Sequence, residues 1–492
     1  MQLLNFGALL GVTLANLGAQ PASASDYDQP YRPQYHFSPR VNWTNDPNGL
    51  VFFEGEYHLF FQYNPFGDEW GHMSWGHAVS RDLLHWQELP VALPEENGVM
   101  IFTGSTVVDE GNSSGFCAGG KHCLVAIYTG HTPETKIRPA LQTQNLAYSN
   151  DRGRTWTKYS GNPVLNLNMS DFRDPKVFRS EQGKHWVMAV SLPNDHKVRL
   201  YGSPDLKKWN QLSEFGPAGA TSGQWECPEL FRLSVKEKAG ESRWVLKVGL
   251  NPGARLGGSG EQYFVGRFDG TRFTNDNPST LTLWADYGKD CYCALTFNGL
   301  PRDRKPVMIG WMDNWQYAAK LPTSPWRGQM TFPRELSLRE TADGIRLYQS
   351  PVEAIDEIID TDEDSKSTHS FVLAFSLPID RGKEVGVKIL ADKDHYTSVG
   401  YDPAKKVLFV DRAHSGLTSF SLDFPARIEA PLIVNGSKLK VRILVDRSSV
   451  EVFADDGRIV STNLVFPPAD AHGTENIGGK VVAIEQAIRS TH

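Results

Sequence analysis

Three carboxylates in this chain of 492 residues sit in settings that favour chemistry. Asp46 lies among amides in Asn45-Asp46-Pro47-Asn48-Gly49, at the end of an apolar, strand-like stretch. Asp174 follows Arg173 in "FRDPK", Phe172 to Lys176. Glu226 lies between Trp225 and Cys227 in "WECPEL". Each has an ordinary structural reading too. Asp-Pro and Asn-Gly are turn dipeptides, so Asp46 alone reads as an Asx-turn leading into a sharp turn through Pro47-Asn48-Gly49. Arg173-Asp174 alone reads as an ion pair, and Glu226 alone as a hydrogen-bonded strand residue.

Taken together, the three settings divide the work of acid and base. Amide donors around Asp46 favour its ionised form, which suits a nucleophile. Apolar sequence neighbours of Glu226 are expected to raise its pKa, which suits a general acid. Asp174 is placed to bind substrate hydroxyls, with Arg173 fixing its charge or gripping the ligand. An ionised carboxylate beside a protonated one is the pair that glycoside hydrolysis uses, and aromatic residues nearby would stack on sugar faces. Cys227 lacks an evident histidine partner and reads as a buried small residue.

Something must bring these distant residues together, and an internal repeat supplies it. "AVSRDLLHWQEL" (Ala78 to Leu89), "AYSNDRGRTWTKY" (Ala147 to Tyr159) and "YGSPDLKKWNQL" (Tyr201 to Leu212) share one plan: apolar strand, Ser, Asp turn, then Trp opening the next strand. "FVGRFDGTRFT" (Phe264 to Thr274) is a degenerate fourth copy. A period of about 55–70 residues, all strand and turn, predicts a propeller of roughly five four-stranded blades. The three carboxylates are expected in successive units, converging on the axis.

The expected organisation is all-β: a five-bladed β-propeller over 25–350, an acidic linker over 351–367, and a β-sandwich over 368–492. In the last, "KVRILVD" puts Val441, Ile443 and Val445 on one face, and "ADDG" (Ala454 to Gly457) makes a hairpin after "SVEVF". No amphipathic helix of useful length appears. Residues 1–24 read as a signal peptide, with an apolar core from Phe6 to Leu17 and Ala22-Ser23-Ala24 for cleavage after Ala24, although Lys and Arg are missing from its start. This predicts secretion. No later stretch approaches the roughly 18–20 apolar residues of a membrane span. The net charge of -7 offers no footprint for nucleic acid or an anionic membrane and suits a neutral ligand. Of five cysteines, Cys117 and Cys123 could pair in an oxidising compartment. Cys291 and Cys293 would share a strand face without bonding to each other. Spacing shows no zinc signature, and His72 and His77 read as structural.

The motifs as a set resemble glycoside hydrolase family 32, the secreted β-fructosidases that include invertases, levanases and exo-inulinases. The likeness runs from "YHFSPRVNWTNDPNG" through "YHLFFQYNP", "WGHMSWGHA", "FTGS", "FRDPK", "WECPEL" and "GWMDNWQY" to "VDRSSVEVF". It implies the same propeller and sandwich, sucrose and fructans as substrates, and no cofactor, metal, nucleic acid or membrane. It also implies roles: Asp46 as nucleophile, Asp174 as transition-state stabiliser holding fructose hydroxyls, and Glu226 as acid/base. Asn45, Gln62, Trp70, Phe102, Thr103, Arg173 and Trp315 match positions that line the pocket for the terminal fructosyl unit. Glu229 matches no catalytic position.

The chain departs from the family pattern in places. Thr44 replaces the usual methionine and creates an Asn42-Trp43-Thr44 sequon, beside further sequons at Asn112, Asn168 and Asn435. Cys291 and Cys293 stand where an aromatic and a small residue are expected. The implied reaction is retaining, exo-acting β-fructofuranoside hydrolysis. Fructosyl transfer and internal fructan cleavage use the same residues, and an inactive fructan-binding protein would have lost one of the three carboxylates.

Overall fold

The computed structural model describes residues 27–492 except 181–184, 361–368, 380–381, 480 and 482. The signal-peptide reading, and much of the linker reading, lie outside the described residues. The repeat is visible as a local hydrogen-bonding device. Ser80 Oγ donates to Asp82, and the Asp82 carboxylate accepts the Leu84 and His85 N–H groups, both at 2.9 Å. The Trp86 indole then donates to the Leu83 carbonyl at 3.1 Å. Ser149, Asp151 and Trp156 repeat this, as do Ser203, Asp205 and Trp209. In the degenerate copy Asp269 still accepts the Thr271 and Arg272 N–H groups. Each copy turns the third strand of a sheet into its fourth.

Five antiparallel sheets precede Pro351. Their first strands are Asn42–Phe53, Met100–Val108, Arg173–Arg179, Gln224–Ser234 and Tyr292–Thr296. Each packs beside the first strand of the next sheet, and the fifth packs back on the first, so the five make a closed ring. A short strand, Trp326–Arg327, pairs in parallel with Asn42 and Trp43 and ties the end of this unit to its start. Packing the sheets face to face buries apolar clusters between them, such as Val125, Ile127, Met188 and Val190.

Beyond residue 370 two five-stranded sheets stack on each other around Leu373, Val399, Leu408, Ile443 and Val452. Val441, Ile443 and Val445 share the inner face, as the alternation predicts. Leu444 faces the other way and is buried in a cluster with Trp311 and Phe332 of the first unit. The sandwich therefore packs on the first unit with the outer face of this sheet, through Val372, Leu444, Phe453 and Val460. Helical structure among the described residues is limited to short 3-10 turns. The longest, Glu353–Glu357, opens the acidic stretch and is anchored by buried Ile355.

Between the two units lies a buried ionic network. His36 Nδ1 meets Asp446 Oδ2 and its Nε2 meets Glu451 Oε1, each at 2.8 Å. Arg334 bridges Glu451 at 2.5 Å and Asp286 at 2.9 Å. Burial alone would push the His36 pKa down, but its two carboxylate partners lift it to about 9 from 6.5. A histidine raised in the folded state stabilises the fold fully below pH 6.5 and loses that contribution as pH rises through about 9. Its size is on the order of 3 kcal/mol. Unfolding wild type and His36→Gln in urea from pH 6 to 10 should show a stability gap that is widest at the acid end and narrows toward pH 10. A gap of constant width would sink this account.

Candidate active site

The site begins as a fault in five strands. Every strand of the central ring breaks register at one level: between Thr44 and Pro47, Ile101 and Gly104, Arg173 and Lys176, Glu226 and Glu229, and Tyr292 and Leu295. Three of the breaks contain a proline, Pro47, Pro175 and Pro228, which has no N–H for a ladder. Bulges bend a strand and re-aim its side chains. Here they turn Asp46, Asp174 and Glu226 toward the axis. The expected turn at Pro47-Asn48-Gly49 is not one: the strand continues to Phe53 and the chain reverses at Glu54-Gly55. Gly49 is required for packing, because a Cβ there would lie 2.7 Å from both the Phe60 ring and Thr106 Oγ1.

All ten residues singled out in the sequence line one cavity of about 260 Å³: Asn45, Asp46, Gln62, Trp70, Phe102, Thr103, Arg173, Asp174, Glu226 and Trp315. Two were missed, Asn251 and Tyr292. The available signal for Tyr292 was its place between the two unexpected cysteines. Asn251 has no comparable signal. The three carboxylates are not on successive sheets. They come from the first, third and fourth; the second contributes Phe102 and Thr103, and the fifth Tyr292. Two roomier clefts lie elsewhere, of about 1000 and 920 Å³. The first holds a single carboxylate, Asp456, and in the second Asp109 is occupied by Ser113 and Ser114.

Asp46 Oδ2 accepts a hydrogen bond from Thr103 Oγ1 at 2.6 Å, while its buried Oδ1 accepts none. The neighbouring amide oxygens are engaged elsewhere, although the Asn45 side chain still favours the charged form of Asp46. Asn45 Oδ1 accepts from the Trp43 indole at 2.8 Å, and the Asn48 amide, oriented to suit its neighbours, accepts from the Gln62 N–H at 2.9 Å. The expectation of an easily ionised Asp46 therefore fails in the free site. Burial, then the Asp174 charge, push its pKa up to about 8 against the pull of Thr103 and Asn45.

Asp174 has a left-handed backbone, φ 66°, and its Oδ2 accepts the Cys227 N–H at 2.9 Å. Burial pushes its pKa up; the Arg173 charge opposes this and the Glu226 charge adds to it. Arg173 hydrogen-bonds Glu226 rather than Asp174. Its Nε and Nη2 lie 3.0 and 2.9 Å from Glu226 Oε1, and further bonds go to Asp171 and Gln224. The other Glu226 oxygen accepts from the Tyr292 hydroxyl. The apolar setting expected for Glu226 is thus absent. Neighbours in a strand point to opposite faces, so Trp225 packs into a separate core with Leu200 and Phe264.

The aromatic wall is built in the same way. Trp315 stacks on Trp43 at 5.9 Å, and Trp70, 46% exposed, meets Phe102 edge-on at the rim. Cys117 and Cys123 are bonded as expected, and Cys227 is bonded to Cys293, a pair not foreseen. Cys291 and Cys293 do not share a face: the bulge sends buried, free Cys291 into a cluster with Ala294 and Met308, and Cys293 into one with Leu50 and Trp311.

The model of the glycosyl hydrolases family 32 N-terminal domain matches residues 36–351, and that of the family 32 C terminal matches 340–487. The chain belongs to glycosyl hydrolase family 32. Among family relatives, the levanase of Bacillus subtilis is 47% identical over 93% of this chain and 69% of its own length. The extracellular exo-inulinase of Aspergillus awamori is 43% identical, covering 91% of this chain and 92% of that one. The crystal structure of that exo-inulinase superposes with a TM-score of 0.89 at 40% identity, over 95% of this chain and all of the other. A β-fructofuranosidase from Schwanniomyces occidentalis, solved with fructosyl-erythritol, gives a TM-score of 0.81 at 31% identity, over 96% of both chains.

The Thr103 hydroxyl stabilises the charged form of Asp46, so removing it should raise the Asp46 pKa further. A hydrogen bond to a charged group is worth about 1.5–3 kcal/mol, or roughly one to two pH units. In Thr103→Val, the limb of the kcat/KM profile that reports Asp46 ionisation should move to higher pH by that amount. A profile that superposes on wild type would show that Thr103 does not tune Asp46.

Proposed function

We propose that this family 32 chain is a secreted, retaining, exo-acting β-fructofuranosidase that releases terminal β-D-fructofuranosyl units from sucrose and from levan- or inulin-type fructans. The observation that carries the reading is the convergence of Asp46, Asp174 and Glu226 on one cavity of about 260 Å³ with an aromatic rim. That volume lies just below the usual ligand range of about 300–1,000 Å³ and suits one sugar ring, which favours removal of chain ends over internal cleavage. Relatives named levanase and exo-inulinase, and a structural neighbour solved with fructosyl-erythritol, support the same substrate class. The closed ring of five first strands supports a five-bladed propeller over 25–350, followed by a linker to 367 and a sandwich over 368–492. Extracellular relatives and two disulfides support secretion after removal of 1–24.

The chemistry follows from three carboxyl groups sharing a buried space. Like charges this close do not all ionise, so the trio retains a proton near neutrality. In the productive arrangement Glu226 carries it and gives it to the leaving oxygen, while Asp46 attacks carbon 2 through the oxygen that no protein donor occupies. This forms a covalent fructosyl-enzyme by way of an oxocarbenium-like state. Glu226, now ionised and held by Arg173 and Tyr292, takes a proton from water, which attacks carbon 2 and restores Asp46. Two displacements retain the configuration. Asp174, with Oδ2 fixed by the Cys227 N–H, accepts fructose hydroxyls. Trp315, Trp70 and Phe102 offer ring faces and edges to the sugar.

Incubating the enzyme separately with sucrose, inulin and levan should release fructose alone from both polymers at the earliest times, and equal glucose and fructose from sucrose. A ladder of oligosaccharides would instead mean internal cleavage or transfer. Glu226→Gln should lose about 10²–10⁴-fold in kcat, and Asp46→Asn at least as much. Either variant within threefold of wild type would overturn the assignment.

A further inference from the structure

We propose that the Cys227–Cys293 disulfide is a positioning element of the hydrolytic site: it holds the Glu226–Tyr292 pair together and presents a proton-free sulfur to Asp46. The proposal rests on the roles assigned to Asp46 and Glu226 above. Cys227 directly follows Glu226 and Cys293 directly follows Tyr292. The strands that carry them belong to different sheets and share no backbone ladder, so side chains must set their spacing. Both cysteines sit in register breaks, with left-handed φ of 47° and 46°. Such backbone persists in a non-glycine residue only where its surroundings enforce it. The covalent bond spans both bulges one residue from the Glu226–Tyr292 contact.

Cys227 touches the rest of the trio as well. Its N–H donates to Asp174 Oδ2 at 2.9 Å, and its sulfur lies 3.7 Å from Asp46 Oδ2. A disulfide sulfur carries no proton. Thr103 therefore supplies the hydrogen bond on that oxygen, and the nucleophile is not engaged by a thiol. Both sulfurs are buried, with Cys227 1% and Cys293 0% exposed.

Reduction would change both features. A small dithiol, as thiolate, attacks one sulfur; the S–S bond breaks and a mixed disulfide forms. The second thiol of the reductant resolves it and leaves as a cyclic disulfide. The protein gains two electrons and two protons and ends with two thiols. The tie between the bulges is then lost, and the Cys227 S–H can donate to Asp46, favouring its ionised form.

The test compares wild type, Cys227→Ala, Cys293→Ala and the control Cys117→Ser/Cys123→Ser on sucrose, with melting temperature, kcat, KM and pH profile for each. Loosening the pair should lower kcat by about 10- to 100-fold in both single variants, with KM within threefold. The control should keep kcat within twofold. In Cys293→Ala, which leaves the Cys227 thiol facing Asp46, the limb reporting Asp46 should move to lower pH; in Cys227→Ala it should not. If a single variant does not fold, wild type treated with dithiothreitol replaces it. Peptide mapping after alkylation confirms reduction at Cys227 and Cys293, and kcat should fall and then return on reoxidation. Folded variants or reduced enzyme within twofold of wild-type kcat, a change confined to KM, or a limb that moves equally in both variants would each overturn the proposal. An enzyme that releases no fructose from sucrose, inulin or levan would refute the functional reading itself, whereas an active enzyme indifferent to this bond refutes only the positioning role.

Discussion

Three acidic groups must share a small buried space, and most of the molecule near the axis is arranged around that repulsion. A lone buried carboxylate would take up a proton, and three adjacent ones compete for few charges. The site sets one guanidinium, from Arg173, against Glu226, one backbone N–H against Asp174 and one hydroxyl against Asp46. Donors are thus shared out unequally. That inequality lets chemically similar side chains take different parts in one reaction. Beneath them lie ion pairs that add no net charge, one between ring strands and one further out between the fourth and fifth sheets. Lys176 meets Glu229 at 2.5 Å and Lys247 meets Glu261 at the same distance, all four side chains nearly or fully buried. Glu229 also accepts the Thr296 N–H at 2.8 Å and so links the fourth sheet to the fifth.

Regular β-structure could not deliver these groups. In an unbroken strand the side chains alternate between the two faces of the sheet, where they pack on neighbouring sheets. The five breaks in register interrupt that alternation, so that sequence neighbours such as Asn45 and Asp46, Phe102 and Thr103, and Arg173 and Asp174 face the same cavity. Proline in three of the motifs favours the break, because it offers no N–H to the ladder. Left-handed backbone at Asp174, Cys227 and Cys293 is the local cost. Cross-links between sheets hold it in place: the Cys227–Cys293 bond, the Lys176–Glu229 pair, and the closure of the ring through Trp326 and Arg327.

The sandwich takes part in this through its contact with the first unit. Its strand Ser449–Ala454 supplies Glu451, and the preceding strand ends at Asp446; together they hold His36, while Glu451 also meets Arg334. Asp290, two residues before Tyr292, is bound by Arg412 and by the Tyr317 hydroxyl. A residue of the sandwich therefore fixes the approach to the strand that touches Glu226.

The sequence by itself determined the class of fold, the repeat and the three carboxylates, while the likeness of its motifs to the family supplied seven more of the twelve residues that line the cavity. These depend on local chemistry: alternation of apolar residues, Ser-Asp turns capped by Trp, and short motifs whose residues act near one another. Only the tertiary structure decided what surrounds each group. Trp225 was legible as a neighbour of Glu226 in sequence but faces away from it in the strand, whereas Arg173 and Tyr292 come from other sheets. The easily ionised Asp46 inferred from adjacent amides gave way to burial beside Asp174 for the same reason. The Cys227–Cys293 bond joins residues 66 apart on different sheets, a distance across which no pattern in the chain signals contact. Charge states and cross-links depend on distance through space, and in a molecule of radial sheets that distance is set by the closing of the ring.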